Sequence, residues 1–161
     1  MKVHLGCGSK YWPGFVNVDG FTDCDIQSDI KKLPFNDGEV SEIHLIHSFE
    51  HISRMECDLA LKDYFRCIKS GGKLVIEVPC LDKIAQMIVD GEENLVMTLF
   101  GIFGDVRLGR PEMLHQWCWS KKELKQVLEA SGFENIEIME PLFHYPKRDI
   151  RVVGYKPQEK K

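Results

Sequence analysis

Short apolar runs of strand length alternate along the chain with longer stretches whose apolar residues recur at helical spacing. Val3–Leu5 and Phe15–Val18 are the first two runs, cut by Gly6 and ended by Asp19. Only GCGSKYWPG lies between them, too short for a crossover helix, and Pro13 with Gly14 marks a turn there. DIQSDIKKLPFNDGEV then carries a short third strand or extended segment and a polar loop, and Ile43–Ile46 is a fourth strand interrupted by His44. The next segment predicts a helix. Ser53 caps it, Glu56 completes a capping box, and Met55, Leu59, Tyr64, Phe65 and Ile68 form its apolar face until Gly71 and Gly72 stop it. KLVIEVP reads as a strand closed by Pro79, and residues 82–90 as a short helix with Asp82 as cap and Ile84, Met87 and Ile88 on one face. NLVMTLFGIFGDVRLGRPEMLHQWCW is apolar, broken by glycine and without a clear element. Ser120 and Glu123 make a second capping box, in a helix ended by Gly132. NIEIME and IRVVGY are two closing strands joined by PLFHYPKRD as a hairpin at the sheet edge.

Strand and helix alternate, then two strands follow each other. That order predicts an α/β fold: a Rossmann-like, doubly wound, mostly parallel sheet with an antiparallel C-terminal edge hairpin. The 161 residues fit one domain spanning 1–161, large enough to bury roughly two-thirds of its unfolded surface. No apolar run approaches the ~18 residues of a membrane span. MKVHLGCG runs directly into a strand, so no signal peptide is expected, and the chain is read as cytoplasmic. The net charge is −4 and the basic residues are scattered, apart from a KPQEKK tail expected to be solvated, so neither nucleic acid nor membrane is an expected partner. The cysteines (Cys7, Cys24, Cys57, Cys67, Cys80, Cys118) show neither a C-x-x-C pair nor zinc-ligand spacing. They are read as reduced, mostly buried small hydrophobes, and no metal site is expected.

In sheets of this kind ligands bind beyond the carboxyl ends of the strands, near the point where strand order reverses. Gly6 and Gly8 end the first strand and Asp19 the second; Asp29 follows in a loop. A dinucleotide fits poorly. Tyr11 stands where the fingerprint needs its third glycine, and there is little room for a helix whose N-terminus would hold a pyrophosphate. The phosphate-loop pattern is missing as well. A nucleoside without phosphates fits better: glycines admit close backbone approach, the Asp19 carboxylate offers a fork to two ribose hydroxyls, and Asp29 an acceptor to an adenine amino group. Taken singly, each feature reads equally well as a tight turn or a solvated Asp.

Taken together, HLGCG, FVNVDG, SDIKKLPFNDGEVSEIHLIHSFEHI, LKDYFRCIKSGGKLVIEVP and SKKELKQVLEASGFENIEI resemble the class I S-adenosylmethionine-dependent methyltransferases of the small methyltransferase-domain type. The resemblance spans nearly the whole chain. It implies S-adenosylmethionine as cofactor and S-adenosylhomocysteine as product. It also places Gly6, Cys7 and Gly8 along the methionine part, Asp19 on the ribose, Asp29 with Ile30 on the adenine, and His47 with Ser48 near the sulfonium. Two departures stand out: His4 replaces an acid that family members often carry two residues before the first glycine, and the first crossover helix is missing.

Methyl transfer from a sulfonium is an in-line displacement that needs alignment and desolvation more than a protein nucleophile, so no catalytic triad is expected. A histidine base suits an acceptor that must lose a proton. His47, at the cleft mouth, and His115, after the glycine-broken apolar segment, are the candidate catalytic residues. His51 is read as bonded to Glu50 or backbone, and His44 as a strand-face residue. Trp117 and Trp119 alternate and favour core burial, Tyr11 and Trp12 are placed to cover the cofactor, and Arg107 and Arg110 read as solvated. The fourth strand is followed by HSFE, without the two prolines typical of amino-methylating DNA enzymes. The one Pro-Cys, Pro79-Cys80, comes a strand later and reads as a plain loop thiol. The expected acceptor is therefore a small molecule or saccharide methylated on oxygen or nitrogen. The competing expectation is a non-catalytic or partner-dependent binding module on the same fold, as a homo- or hetero-oligomer. It is motivated by the short chain, the missing helix and His4.

Overall fold

The apolar runs become seven strands in the computed structural model, which describes residues 1–158. They are β1 (Lys2–Leu5), β2 (Val16–Asp19), β3 (Ile26–Gln27), β4 (Val40–Ile46), β5 (Ile68–Pro79), β6 (Glu134–Met139) and β7 (Asp149–Tyr155). The helices are α1 (Arg54–Cys67), α2 (Leu81–Val89), α3 (Leu99–Phe103) and α4 (Lys121–Ala130). The strands form one sheet in the order β3-β2-β1-β4-β5-β7-β6. All neighbours are parallel except β7, which runs antiparallel to both β5 and β6. The antiparallel strand therefore lies inside the sheet, and β6 is the edge. Strand order reverses between β1 and β4, which locates the switch point.

Side chains alternate between the two faces of a strand. One face carries Leu5, Val18, Leu45, Ile76 and Val152, which form the core with α1 and α4. The opposite face carries the polar groups His4, Asn17, Glu42, His44, Glu77 and Arg151, with His4 level with Asn17 and His44, and Glu77 level with Arg151. Residues 6–15 connect β1 to β2 without a helix. Trp12 from this connection stacks on His4, with ring centres 4.1 Å apart, and meets Phe15 at 5.2 Å and Phe143 at 4.9 Å. A small aromatic plug takes the place of the missing helix. Its presence explains how a polar sheet face stays covered.

Several local readings need correction, among them the capping box at Ser53, whose Oγ donates to Glu56 Oε2 at 3.0 Å and accepts no backbone N–H. The inward face of α1 is Cys57, Ala60, Leu61, Tyr64 and Cys67, whereas Met55 and Leu59 are 89% and 68% exposed. The helical period was legible but its phase was not, because cysteine and alanine fill the contact with the sheet. The helix also ends at Cys67, and Gly71 with Gly72 falls inside β5. Asp82 does not cap α2; it accepts from the Lys121 backbone N–H at 2.7 Å, at the start of α4. Ser120 does cap α4, accepting from Glu123 N–H at 3.2 Å. Of the basic tail, Lys156 is engaged rather than solvated: its Nζ donates to the Phe65 and Ile68 carbonyls at 2.8 and 2.7 Å, at the C-terminal end of α1. Residues 159–161 lie outside the described part. Between α2 and α4 the unassigned segment holds α3 and two single 3-10 turns, Val106–Leu108 and Pro111–Met113. Among the described residues no helix is long and apolar enough to cross a membrane.

Candidate active site

Gly6 and Gly8 leave β1 with φ of +64° and +53°, a region that favours glycine. Their surroundings differ. A Cβ on Gly6 would meet Ser48 Cβ, and Ser48 Oγ donates to Leu5 C=O at 2.9 Å, so the ends of β1 and β4 are pinned together. A Cβ on Gly8 would meet nothing within 4 Å and stands in open space. A cleft of about 940 Å³ opens here, at the switch point. Gly6, Cys7, Gly8, Asp19, Asp29, Ile30, His47 and Ser48 all line it, and residues 110–114, Gln116 and His51 line it as well. The sequence brings this set together as expected.

Asp19 is more committed than its position in the sequence suggests. Oδ2 accepts from Gly8 N–H at 2.9 Å, and Oδ1 accepts from Phe21 and Thr22 N–H at 2.8 and 3.0 Å. Burial pushes its pKa up, but these amide donors outweigh that and hold it below the ordinary value. A carboxylate offers about four lone-pair sites, so roughly one remains for a ligand, not a free fork. Asp29 Oδ1 accepts from Lys31 N–H at 2.9 Å, and the residue stays largely exposed to the cleft. Ile30 is fixed by its carbonyl, which accepts from the buried Tyr64 hydroxyl at 2.8 Å. Burial pushes the Cys7 thiol up to about 11, so it stays neutral.

His47 follows β4 with a φ of +54°, rare outside glycine. Its Nδ1 is 3.1 Å from Glu50 Oε1 and its Nε2 3.1 Å from Asp149 Oδ2. Burial alone would lower its pKa; the two carboxylates outweigh burial and raise it to about 9. The ring lies against His144, centre to centre 4.0 Å. Asp149 is also forked by Arg148, through Nε at 2.5 Å and Nη2 at 3.1 Å. His144, Asp149 and Glu50 are absent from the sequence-based set. The first two come from the linker of the last two strands and from the start of β7, and no local pattern ties them to the end of β4.

His115 does not line the cleft. It lies behind His51, edge to face at 5.0 Å, and its Nδ1 donates to Gly101 C=O at 3.1 Å. His51 is the cleft-lining member of the pair, with Nδ1 donating to Leu114 C=O at 3.1 Å. Of the other candidates, only Arg110 borders the cleft. Trp12 is on the polar sheet face, and Tyr11 is exposed with its hydroxyl on Asp25 at 3.2 Å, so neither covers the cleft. His4 faces Trp12, and burial keeps it neutral with a pKa of about 4. His44 bonds Glu42 at 3.0 Å on the same face. Trp119 is in the core, stacked on Phe49, while Trp117 is partly exposed. Arg107 and Arg110 pair with Asp105 and Glu112. Cys80 is a buried thiol away from the cleft.

A glycine cradle and a carboxylate thus stand together at the switch point of a 3-2-1-4-5-7-6 sheet, the arrangement of an α/β ligand-binding fold. The sequence profile of the methyltransferase-domain family matches residues 6–138, and the chain belongs to that family. It is an S-adenosylmethionine-dependent methyltransferase, with S-adenosylmethionine as cofactor. The structure is similar to a SAM-dependent methyltransferase from Thermotoga maritima, with a TM-score of 0.67, 16% identity, and 96% of this chain and 81% of that one covered. It is also similar to a SAM-dependent methyltransferase from Archaeoglobus fulgidus, with a TM-score of 0.66, 15% identity and coverage of 96% and 85%. A third similar structure is the complex of the Haloferax volcanii Trm112 methyltransferase activator with a methyltransferase, at a TM-score of 0.63, 18% identity and coverage of 98% and 82%. No curated protein matches the chain in sequence.

Proposed function

We propose that the chain methylates an oxygen or nitrogen atom of a small-molecule or saccharide-type acceptor, releasing S-adenosylhomocysteine. One observation carries the proposal: a single cleft of about 940 Å³ runs from Asp29 to the segment 110–116. It falls within the ~300–1,000 Å³ typical of small-molecule sites and leaves room for an acceptor beside the cofactor. In this reading Gly6, Cys7 and Gly8 pass the methionine part, Asp19 accepts from one ribose hydroxyl, Asp29 and Ile30 meet the adenine, and Ser48 borders the sulfonium. Both ring nitrogens of His47 already face carboxylates, so His47 positions the floor of the site and does not take a proton from the acceptor. His51 is the histidine presented to the acceptor, and His115 supports it from behind. The rate enhancement comes mainly from alignment and exclusion of water.

Calorimetric titration with S-adenosylmethionine and S-adenosylhomocysteine tests the cofactor site; micromolar binding that Asp29→Ala weakens is expected. Release of S-adenosylhomocysteine is then followed over hydroxylated, amine and sugar acceptors, with RNA and DNA as comparison. Turnover on nucleic acid alone would overturn the acceptor assignment. The partner-dependent reading draws on the activator complex among the similar structures. A chain that elutes as a monomer and turns over cofactor unaided would rule it out.

A further inference from the structure

We infer that Glu50, His51 and His115 form a binding site for a borderline divalent cation, zinc above all, just behind the part of the cleft wall that His51 lines. Glu50 is 1% exposed, and neither of its carboxylate oxygens has a hydrogen-bond partner. A carboxylate buried without hydrogen bonds is costly unless a cation compensates it. One ligand atom each from Glu50, His51 and His115 lies within 4.8 Å of the others. The tautomers are set by backbone. A carbonyl can only accept, so His51 Nδ1, on Leu114 C=O, and His115 Nδ1, on Gly101 C=O, both carry hydrogen. In the neutral rings this leaves both Nε2 atoms as bare lone pairs. His115 Nε2 then faces Glu50 Oε1 across 4.0 Å, acceptor against acceptor and too far for a hydrogen bond.

A cation resolves this opposition. Bonds of ~2.0–2.1 Å to a tetrahedral centre bring ligand atoms to roughly 3.3 Å of one another, a contraction within reach of side-chain rotation. Two imidazoles with one carboxylate suit zinc and leave a coordination position free, and the Nδ1–H bonds to carbonyls are the outer support such histidines usually have. The neighbouring trio of His47, His144 and Asp149 is equally close but unsuited. Arg148 already forks Asp149, and Lys10 Nζ sits 3.2 Å from His144 Nε2. The competitor at the first site is His47, whose Nδ1 approaches Glu50 to 3.1 Å without the alignment of a hydrogen bond. The cation would tie the turn after β4 to the segment that walls the cleft, whose Gln116 N–H already donates to Glu50 C=O at 2.8 Å. Cysteine spacing carries no trace of such a site, because its ligands are imidazole and carboxylate.

The test is titration of the chelator-treated full chain with zinc by calorimetry and with cobalt by visible absorption. One equivalent should bind and raise the melting temperature. Glu50→Gln and His115→Ala should each lower the affinity by at least ~100-fold, beyond the ~10–100-fold loss typical of an outer partner. His144→Ala, in the rejected trio, should leave it unchanged. His51→Gln serves where Glu50→Gln fails to fold. Absence of stoichiometric binding, or binding indifferent to Glu50→Gln and His115→Ala, would overturn the site and leave His47 as the sole counter-charge of Glu50. S-adenosylhomocysteine affinity measured on the same samples keeps the two conclusions apart, since an intact cofactor site without metal sinks only this inference.

Discussion

A Cβ placed on Gly6 would lie 2.3 Å from Ser48 Cβ, so the two strand ends that frame the cleft meet with no room for a methyl group. Gly6→Ala adds this overlap to the strain of a positive φ, and a loss of about 2–4 kcal/mol of stability is expected in urea denaturation. Ser48→Gly in the same chain should recover the packing part and leave the backbone part of about 1–2 kcal/mol. A double-mutant cycle reads that coupling directly. Gly8→Ala should cost only the backbone part, because its Cβ meets nothing within 4 Å, yet it should weaken S-adenosylhomocysteine binding by intruding on the cleft.

Asp19 is a brace as well as a proposed ligand group. Asp19→Asn puts an amide where Gly8, Phe21 and Thr22 N–H groups now donate, and a loss of about 2–3 kcal/mol is expected. The folded-state pKa lies below the ordinary carboxylate value, so this stability is present above that value and disappears as pH falls through the folded one. Urea melts of the natural chain and the variant should therefore differ most above about pH 5 and converge in acid.

Trp12 lies on the far face of the sheet from the core, stacked on His4 and against Phe143. Trp12→Ala should destabilise by about 2–4 kcal/mol while changing cofactor affinity only a few-fold. A large loss of affinity with little loss of stability would place Trp12 in the cofactor site instead.

Glu77, fully buried in β5, accepts from Leu142 and Phe143 N–H at 3.0 Å each and pairs with Arg151 Nη1 at 3.0 Å. Glu77→Gln leaves a buried guanidinium without its counter-charge, and a loss of about 3–5 kcal/mol is expected. Limited proteolysis should then cut within residues 140–148, the linker that carries His144 to the cleft.

The strand ends, the Ser120 cap and the cleft residues Gly6 and Gly8 were legible because each rests on a local signal, a capping side chain ahead of a helix or a glycine after a strand. Ser48 follows only from the family resemblance, and Glu123 turns to Arg54 and Trp117 instead of closing the box at Ser120. Asp19 was located correctly but not its engagement, since its partners are backbone amides that leave no mark in residue type. The phase of α1 was hidden by Cys57 and Ala60, too small to register as an apolar stripe. His144 and Asp149 reach His47 only through the pairing of β7 with β5, a contact between segments far apart in the chain. His115 was singled out and lies one layer deeper than expected, because Gly101 C=O holds its ring behind His51.

The register of the sheet also fixes where the chain can be handled. Lys2, Glu42, Lys73 and Tyr155 stand in one row across β1, β4, β5 and β7, at the opposite end of the strands from Gly6 and Ser48. Both ends of the sheet-forming chain therefore emerge on the side remote from the cleft. A contact made at Lys2 or Tyr155 leaves the cleft at the far end of the strands untouched.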